Sequence, residues 1–318
     1  MKYFIIGGTG SIGSELIPVA TEAGHEVVGL ARSDTAAQSL RSLGAVPVRG
    51  DMTAPKQWLT QAAEADVLVQ LGATATTRSS NKWLRTGGEA NGIAAMGLVE
   101  AAKEGGNTKA LITASGVMVA GDHGDAWIDE FTPDKPHPLA TYWGPNEHAV
   151  DAARDAGIPA TALRFGQVYD SNPTSTFGKF FLATAAKGRF RYMGDGDNYF
   201  PFVHVNDAVD AIIRTGDRTP TDELLYIVED GINTMRNAVG SMMEAFGHTA
   251  KSVPLFIGKL AAGKPLAAGF SGSYRARNNR AKEALGWSPS RPSFTNAITS
   301  IVDQYQTITG DQYQTITG

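Results

Sequence analysis

The run Gly7-Gly8-Thr9-Gly10-Ser11-Ile12-Gly13 directly follows a β-rich segment at residues 3–6 and opens a stretch of helical length. Residues without a Cβ let the chain leave a strand in a tight turn. They also bring backbone N–H groups and a helix N-terminus against a pyrophosphate. A second β-rich segment at residues 26–30 completes a βαβ unit, which makes a dinucleotide site the specific reading of the glycines. Further β-rich segments at 46–48, 66–71, 110–113 and 160–163, separated mostly by helical lengths, predict an α/β fold. The expected architecture is a Rossmann-type doubly wound parallel sheet over residues 1–170. Residues 171–302 are expected to form mainly a smaller C-terminal substrate-binding subdomain, with part of the chain after 200 packing back on the first. There the pattern loosens, with helices expected at 233–246 and 277–285.

Two features break the pattern. Pro18 falls inside the first expected helix, where it removes a backbone hydrogen bond and should bend the axis. The octapeptide at 303–310 is repeated identically at 311–318, and one duplication is too little for a repeat fold. This tail is expected to be disordered or artefactual.

At the end of the second strand, where NAD enzymes carry an acidic residue for the ribose 2′-hydroxyl, the chain reads Ala31-Arg32-Ser33. A guanidinium there grips a 2′-phosphate through charge-assisted bonds. The expected cofactor is therefore NADP(H). The 28 Lys and Arg against 32 Asp and Glu, without a long like-charge run, give no nucleic-acid footprint. Absence of cysteine excludes thiolate chemistry and disulfides. The six histidines are scattered, and Asp122, His123 and Asp125 lack metal-ligand spacing, so no metal is expected. No apolar run approaches membrane-spanning length and no signal peptide is evident, so a cytoplasmic protein without a membrane partner is expected.

With GGTGSIG, the Gly50-Asp51-Met52 turn and Leu71-Gly72-Ala73, the chain resembles the NAD(P)-dependent epimerase/dehydratase family of extended short-chain dehydrogenases/reductases. Segments 91–102 (NGIAAMGLVEAA), 162–169 (ALRFGQVY), 202–208 (FVHVNDA) and 282–289 (KEALGWSP) carry the resemblance across most of the chain. It implies cofactor contacts from Gly7, Thr9, Gly10, Ser11, Ile12 and Gly13 on the pyrophosphate. Arg32 and Ser33 would face the ribose phosphate, and Asp51 and Met52 the adenine. Leu71, Gly72 and Ala73 would line the middle of the cofactor, Phe165, Gln167 and Val168 would lie near the nicotinamide, and Asn91 would be a further cofactor contact. A homodimer through helices near 91–103 and 142–156 is a further implication.

The family's catalytic group is a tyrosine that exchanges a proton, a Ser or Thr that orients the substrate oxygen, and a lysine four residues after the tyrosine. The matching positions are Tyr142, Ser115 with Thr113 as a weaker substitute, and Asn146. Ser115 and Gly116 compete for the serine slot. An amide can hydrogen-bond ribose hydroxyls but carries no charge. A cation ~4 Å from a phenolate is worth up to about 4 kcal/mol at an effective dielectric of about 20, so its loss should leave the tyrosine nearer its ordinary pKa. Where sugar-nucleotide enzymes present an arginine, the chain reads Asn198-Tyr199-Phe200-Pro201, and Trp143 adjoins Tyr142. Trp143, Tyr199 and Phe200 therefore suggest a hydrophobic or aromatic small-molecule substrate. The leading expectation is an NADP(H)-dependent oxidoreductase acting on a carbonyl or hydroxyl centre. The alternatives are a non-redox isomerase, dehydratase or cyclase on the same fold, or an NADP(H)-sensing regulator without turnover.

Overall fold

Alternating β-branched runs and helices build a seven-stranded sheet in which every pairing is parallel. The computed structural model describes residues 1–73 and 79–317, with side chains through residue 310. Numbered along the chain, the sheet strands are β1 (Lys2–Ile6), β2 (Glu26–Ala31), β3 (Val46–Arg49), β4 (Val67–Gln70), β5 (Ala110–Gly116), β7 (Ala160–Phe165) and β11 (Leu224–Ile227). Their order is β3-β2-β1-β4-β5-β7-β11. The chain reverses direction across the sheet between β1 and β4, which opens a crevice beyond their carboxyl ends. Three two-stranded pairs lie apart: β6 (Trp127–Ile128) with β13 (Arg275–Ala276), β8 (Gln167–Tyr169) with β10 (Phe202–His204), and β9 (Arg191–Met193) with β12 (Lys251–Val253).

The helices are α1 (Gly13–Glu22), α2 (Asp34–Ser42), α3 (Leu59–Ala63), α4 (Asn81–Gly105), α5 (Ala140–Asp155), α6 (Ala183–Ala185), α7 (Val205–Asp217), α8 (Met235–Ala245), α9 (Leu255–Ala262), α10 (Lys264–Ser271), α11 (Asn279–Leu285) and α12 (Phe294–Thr317). Apolar faces of α1, α2, α7 and α11 bury against one side of the sheet, through residues such as Leu16, Leu40, Ile212 and Leu285. Helices α3, α4 and α5 bury Ala62, Leu98 and Val150 against the other. The central strands are thus covered on both faces, which is why β4, β5 and β7 read as nearly continuous buried runs. A second core joins Phe177, Phe200, Phe202, Met242 and Ile298 from the chain beyond β8.

Two distant segments are tied together at Asp207, near the start of α7. Its carboxylate accepts from the Ser290 hydroxyl at 2.6 Å and from the backbone N–H groups of Ser290 and Arg291, while Trp287 Nε1 donates to its carbonyl at 3.0 Å. This fastens the LGW segment to the FVHVND segment.

Two expectations need correction. β11, absent from the β-rich segments picked out above, is the edge strand beside β7. Pro18 does lie inside helix α1, as expected. The first octapeptide copy is not disordered: it continues α12, and its Tyr305 is buried with its ring 6.1 Å from that of Phe246. Side chains of the second copy lie outside the described residues.

Candidate active site

The crevice between β1 and β4 explains the glycines. Gly7 has φ +89°, and a Cβ there would come within 2.5 Å of the Gly72 nitrogen, so the loops after β1 and β4 meet backbone to backbone. A Cβ on Gly13 would overlap the Gly7 carbonyl, which fixes how closely α1 approaches the loop. Gly10 N–H closes the turn on Gly7 O at 2.9 Å. Thr9 and Gly10 are exposed, whereas Ile12 packs partly into the core. The Ser11 hydroxyl accepts from Thr176 N–H at 3.0 Å, a contact between residues 165 positions apart.

At the adenosine end, Arg32 is exposed just beyond β2. Ser33 caps α2, its Oγ accepting from Ala36 N–H at 3.1 Å. Asp51 has turned its carboxylate onto Thr53, which donates from both N–H and Oγ1. These bonds hold it below the usual carboxylate range, with a smaller contribution from the Arg32 charge. Met52 lies beside Gly72, 3.3 Å from where a Cβ would stand. Leu71 N–H bonds Ile6 O at 2.9 Å, and Ala73 is exposed. Phe165 and Val168, expected near the nicotinamide, put their side chains into the core, leaving Gln167 as the polar residue of that segment. Gln167 spends its amide Nε2 on Val168 O at 3.1 Å.

The catalytic positions are rearranged. Asn146 is fully buried; its Nδ2 donates to Ala114 O at 2.8 Å, and its Oδ1 receives Gln70 Nε2 at 3.5 Å. Gln70 also accepts from Gly72 N–H at 2.5 Å. The amide therefore pins α5 to β5 and to the β4 turn, contrary to the expectation that it faces a ribose. Thr113, the weaker serine substitute, donates to Asn146 O at 3.2 Å. Ser115 donates to Glu147 Oε1 at 2.6 Å, so its proton is held by a carboxylate. Glu147 is in turn bound through both oxygens by Arg164, which is 3% exposed and also pairs with Asp134 and Tyr226 Oη. At Gly116, the neighbouring serine candidate, an added Cβ would have the Trp143 indole 3.6 Å away.

Tyr142 is buried in an aromatic cluster. Trp83 stacks on it with centroids 4.4 Å apart, and Trp143 meets it edge-on at 4.9 Å. Its ring lies against α4 where any Cβ on Gly87 would overlap it. Asn91, expected at the cofactor, instead donates from Nδ2 to Tyr142 O at 2.9 Å and is buried. It anchors the tyrosine's backbone between α4 and α5.

Of the substrate candidates, Trp143 alone joins this cluster. Phe200 is a core residue packed on Phe202 and Phe270. Arg275 lies over the Tyr199 ring, 4.8 Å from the ring centroid, and also over the Trp127 ring at 4.3 Å. Gln70, Trp83, Glu147 and Arg164 escaped the sequence reading. The only available signal was Arg164, a charge inside the apolar strand ATALRF that demands a buried counter-charge. Among the described residues, no group of three or more His, Asp or Glu is placed to hold a metal.

The model of the NAD dependent epimerase/dehydratase family matches residues 3–224. The chain belongs to that family. It is an NAD(P)-dependent oxidoreductase family in the broad sense, and the curated relatives of this chain are remote. A 4-hydroxy-2-methyl-3-oxo-4-farnesyl-3,4-dihydroquinoline-1-oxide ketoreductase of Stigmatella aurantiaca is 23% identical over 79% of this chain and 75% of that protein. A 3-diazoavenalumate denitrifying reductase of a Streptomyces species is 24% identical over 94% of this chain and 99% of its own. Among solved structures, the human epimerase family protein SDR39U1 with NADPH superposes with TM-score 0.81 at 19% identity, covering 95% of this chain and 99% of that one. The dTDP-glucose 4,6-dehydratase DesIV of Streptomyces venezuelae, with NAD and TYD bound, gives 0.80 at 20% identity and covers 98% of each chain. These likenesses establish the fold.

Proposed function

We propose that this family member is an NADP(H)-dependent reductase that delivers hydride to a carbonyl or similar electrophilic centre of an apolar or aromatic small molecule, with Tyr142 as the proton donor. The observation that carries the reading is the buried amide of Asn146 at the position where the family resemblance implies a lysine. Oxidation of an alcohol needs a phenolate to take the proton, and an amide does nothing to stabilise one. Reduction needs a neutral phenol, which is the ordinary form at neutral pH. The site is therefore biased toward reduction.

The substrate class is supported by the apolar cluster of Leu84, Leu139 and Tyr142, against which Trp83, Met118 and Trp143 pack. Two relatives are named as reductases of ring-bearing molecules, and a close structural neighbour holds NADPH. Arg32 would supply the 2′-phosphate contact, and Ser11 with the glycine loop would hold the pyrophosphate. Nicotinamide supplies the hydride when the cofactor is bound. A homodimer would use the outer face of α4, where Ile93 and Met96 are exposed.

A second reading, an NADP(H)-binding regulator without turnover, draws on the commitment of Ser115 to Glu147 and of Asn146 to Ala114. Single-turnover mixing of the NADPH-loaded protein with a panel of aromatic and aliphatic ketones separates the two. Loss of nicotinamide absorbance with stoichiometric alcohol supports the reductase, and unchanged absorbance with every ketone favours the regulator.

A further inference from the structure

Helix α9 and the turn into α10 stand apart from both cores. Of the eight residues of α9, only Gly258 is buried, where it abuts the Met193 side chain. Phe256 and Leu260, one helical turn apart, are 71% and 72% exposed, and Leu255 and Ile257 are 37% and 41% exposed. Exposure of that size belongs to protruding side chains and not to the lining of a cleft, and four large apolar residues within six positions form a patch unlike scattered surface hydrophobics.

The surrounding charge is one-sided. Between Glu244 and Glu283 the chain has no Asp or Glu, although the whole protein carries 32. Lys251, Lys259 and Lys264 flank the patch, all three exposed, and among the described residues none is within ion-pair distance of a carboxylate. The hairpin is nevertheless fixed to the fold. Ser79 N–H donates to Ala262 O at 2.8 Å, and Leu266 N–H donates to Ser79 Oγ at 2.9 Å. On α10, a Cβ at Gly269 would come 2.9 Å from Leu139 and 3.1 Å from the Met118 sulfur, so the hairpin roofs the cluster that holds Tyr142.

We propose that the α9–α10 hairpin docks this protein on an anionic lipid surface. Phe256 and Leu260 enter the acyl boundary while Lys251, Lys259 and Lys264 meet the headgroups, the arrangement that peripheral amphipathic helices use. No helix among the described residues is long and apolar enough to cross a membrane, so the contact is peripheral. It revises the expectation of no membrane partner. The docking stands independently of the hydride-transfer reading, and joined to it would place the substrate roof at the lipid face.

The test is co-sedimentation of the full chain with vesicles of phosphatidylcholine alone and of phosphatidylcholine mixed with phosphatidylglycerol. Binding is expected to the mixed vesicles only, and to weaken as salt is raised. Phe256→Ser with Leu260→Ser, and separately Lys259→Glu with Lys264→Glu, should each lower the bound fraction about tenfold without moving the melting temperature, because all four side chains are solvent-facing. Wild-type protein left in the supernatant with both vesicle types would overturn the proposal. So would equal binding to both, or loss of a dimer in the Phe256/Leu260 variant with vesicle binding intact, which would make the patch a contact between copies.

Discussion

Asn146 Nδ2 reaches the carbonyl oxygen of Ala114 at 2.8 Å, from a side chain with no solvent exposure. This bond turns a position expected to touch the cofactor into a clamp between helix α5 and strand β5. Replacing Asn146 with Ala removes its bonds to the buried Ala114 carbonyl and to Gln70 Nε2, which retains Gly72 O, and should cost about 1–3 kcal/mol. Asn146→Asp should cost more, since it sets a carboxylate against a carbonyl oxygen. Urea unfolding measures both, and NADPH affinity should change less than threefold in Asn146→Ala if the amide does not contact the ribose.

Without a cation at residue 146, the two reaction directions should differ in their pH dependence. Reduction with NADPH should persist below neutral pH, whereas alcohol oxidation with NADP+ should rise steadily into the alkaline range. Tyr142→Phe should lower the reductive rate at least about a hundredfold, within the range typical of proton-transfer groups. Ser115→Ala should change it only a few-fold, because Glu147 already holds the hydroxyl. Steady-state rates of both directions across pH provide the check.

Two glycines with opposite surroundings test the packing of the aromatic cluster. Gly87→Ala forces a methyl into the Tyr142 ring and should abolish activity with a clear loss of melting temperature. Gly240, within α8, has nothing near its would-be Cβ, so Gly240→Ala should stabilise by about 0.5–1 kcal/mol. Thermal melts and activity of the pair settle the point.

Burial pushes the Glu229 carboxyl up to about 7 from its ordinary 4.5, against hydrogen bonds from Phe294 N–H and Asn233, and its buried Oε2 has no hydrogen-bond partner among the described residues. The folded protein thus binds more protons than the unfolded chain between about pH 4.5 and 7, and this group's contribution falls as pH rises through that window. His204 acts in the opposite sense. Burial, aided by the Arg291 charge, lowers it to about 4, so its contribution is present above 6.5 and is lost as pH falls toward 4. Glu229→Gln should therefore gain on wild type as pH rises from about 4.5 to about 7, by up to about 3 kcal/mol, measured by denaturation at a series of pH values.

The tight turn after β1 was legible because close backbone approach admits glycine alone: Gly7 and Gly13 leave a local, ordered trace in the chain. The departure at Asn146 was equally visible, but its meaning was not, since Gln70 and Ala114 become its partners only when β4 and β5 lie side by side. Asn91 shows the same limit, a polar residue in a helix whose partner, the Tyr142 carbonyl, is supplied by another helix. Aromatic composition could not separate Phe200, which fills the second core, from Trp143, which borders the tyrosine. Duplication of the terminal octapeptide hid the fact that its first copy continues the apolar stripe of α12 through Ile298, Ile301, Val302 and Tyr305.

Whether Arg32 completes an NADP(H) site is decided by calorimetric titration of wild type and Arg32→Ala with NADPH and NADH. Wild type should bind NADPH at least about tenfold more tightly than NADH, a factor worth about 1.4 kcal/mol, and Arg32→Ala should erase the difference by weakening NADPH alone. Equal binding of both nucleotides by wild type, or an Arg32→Ala protein that keeps the preference, would contradict it.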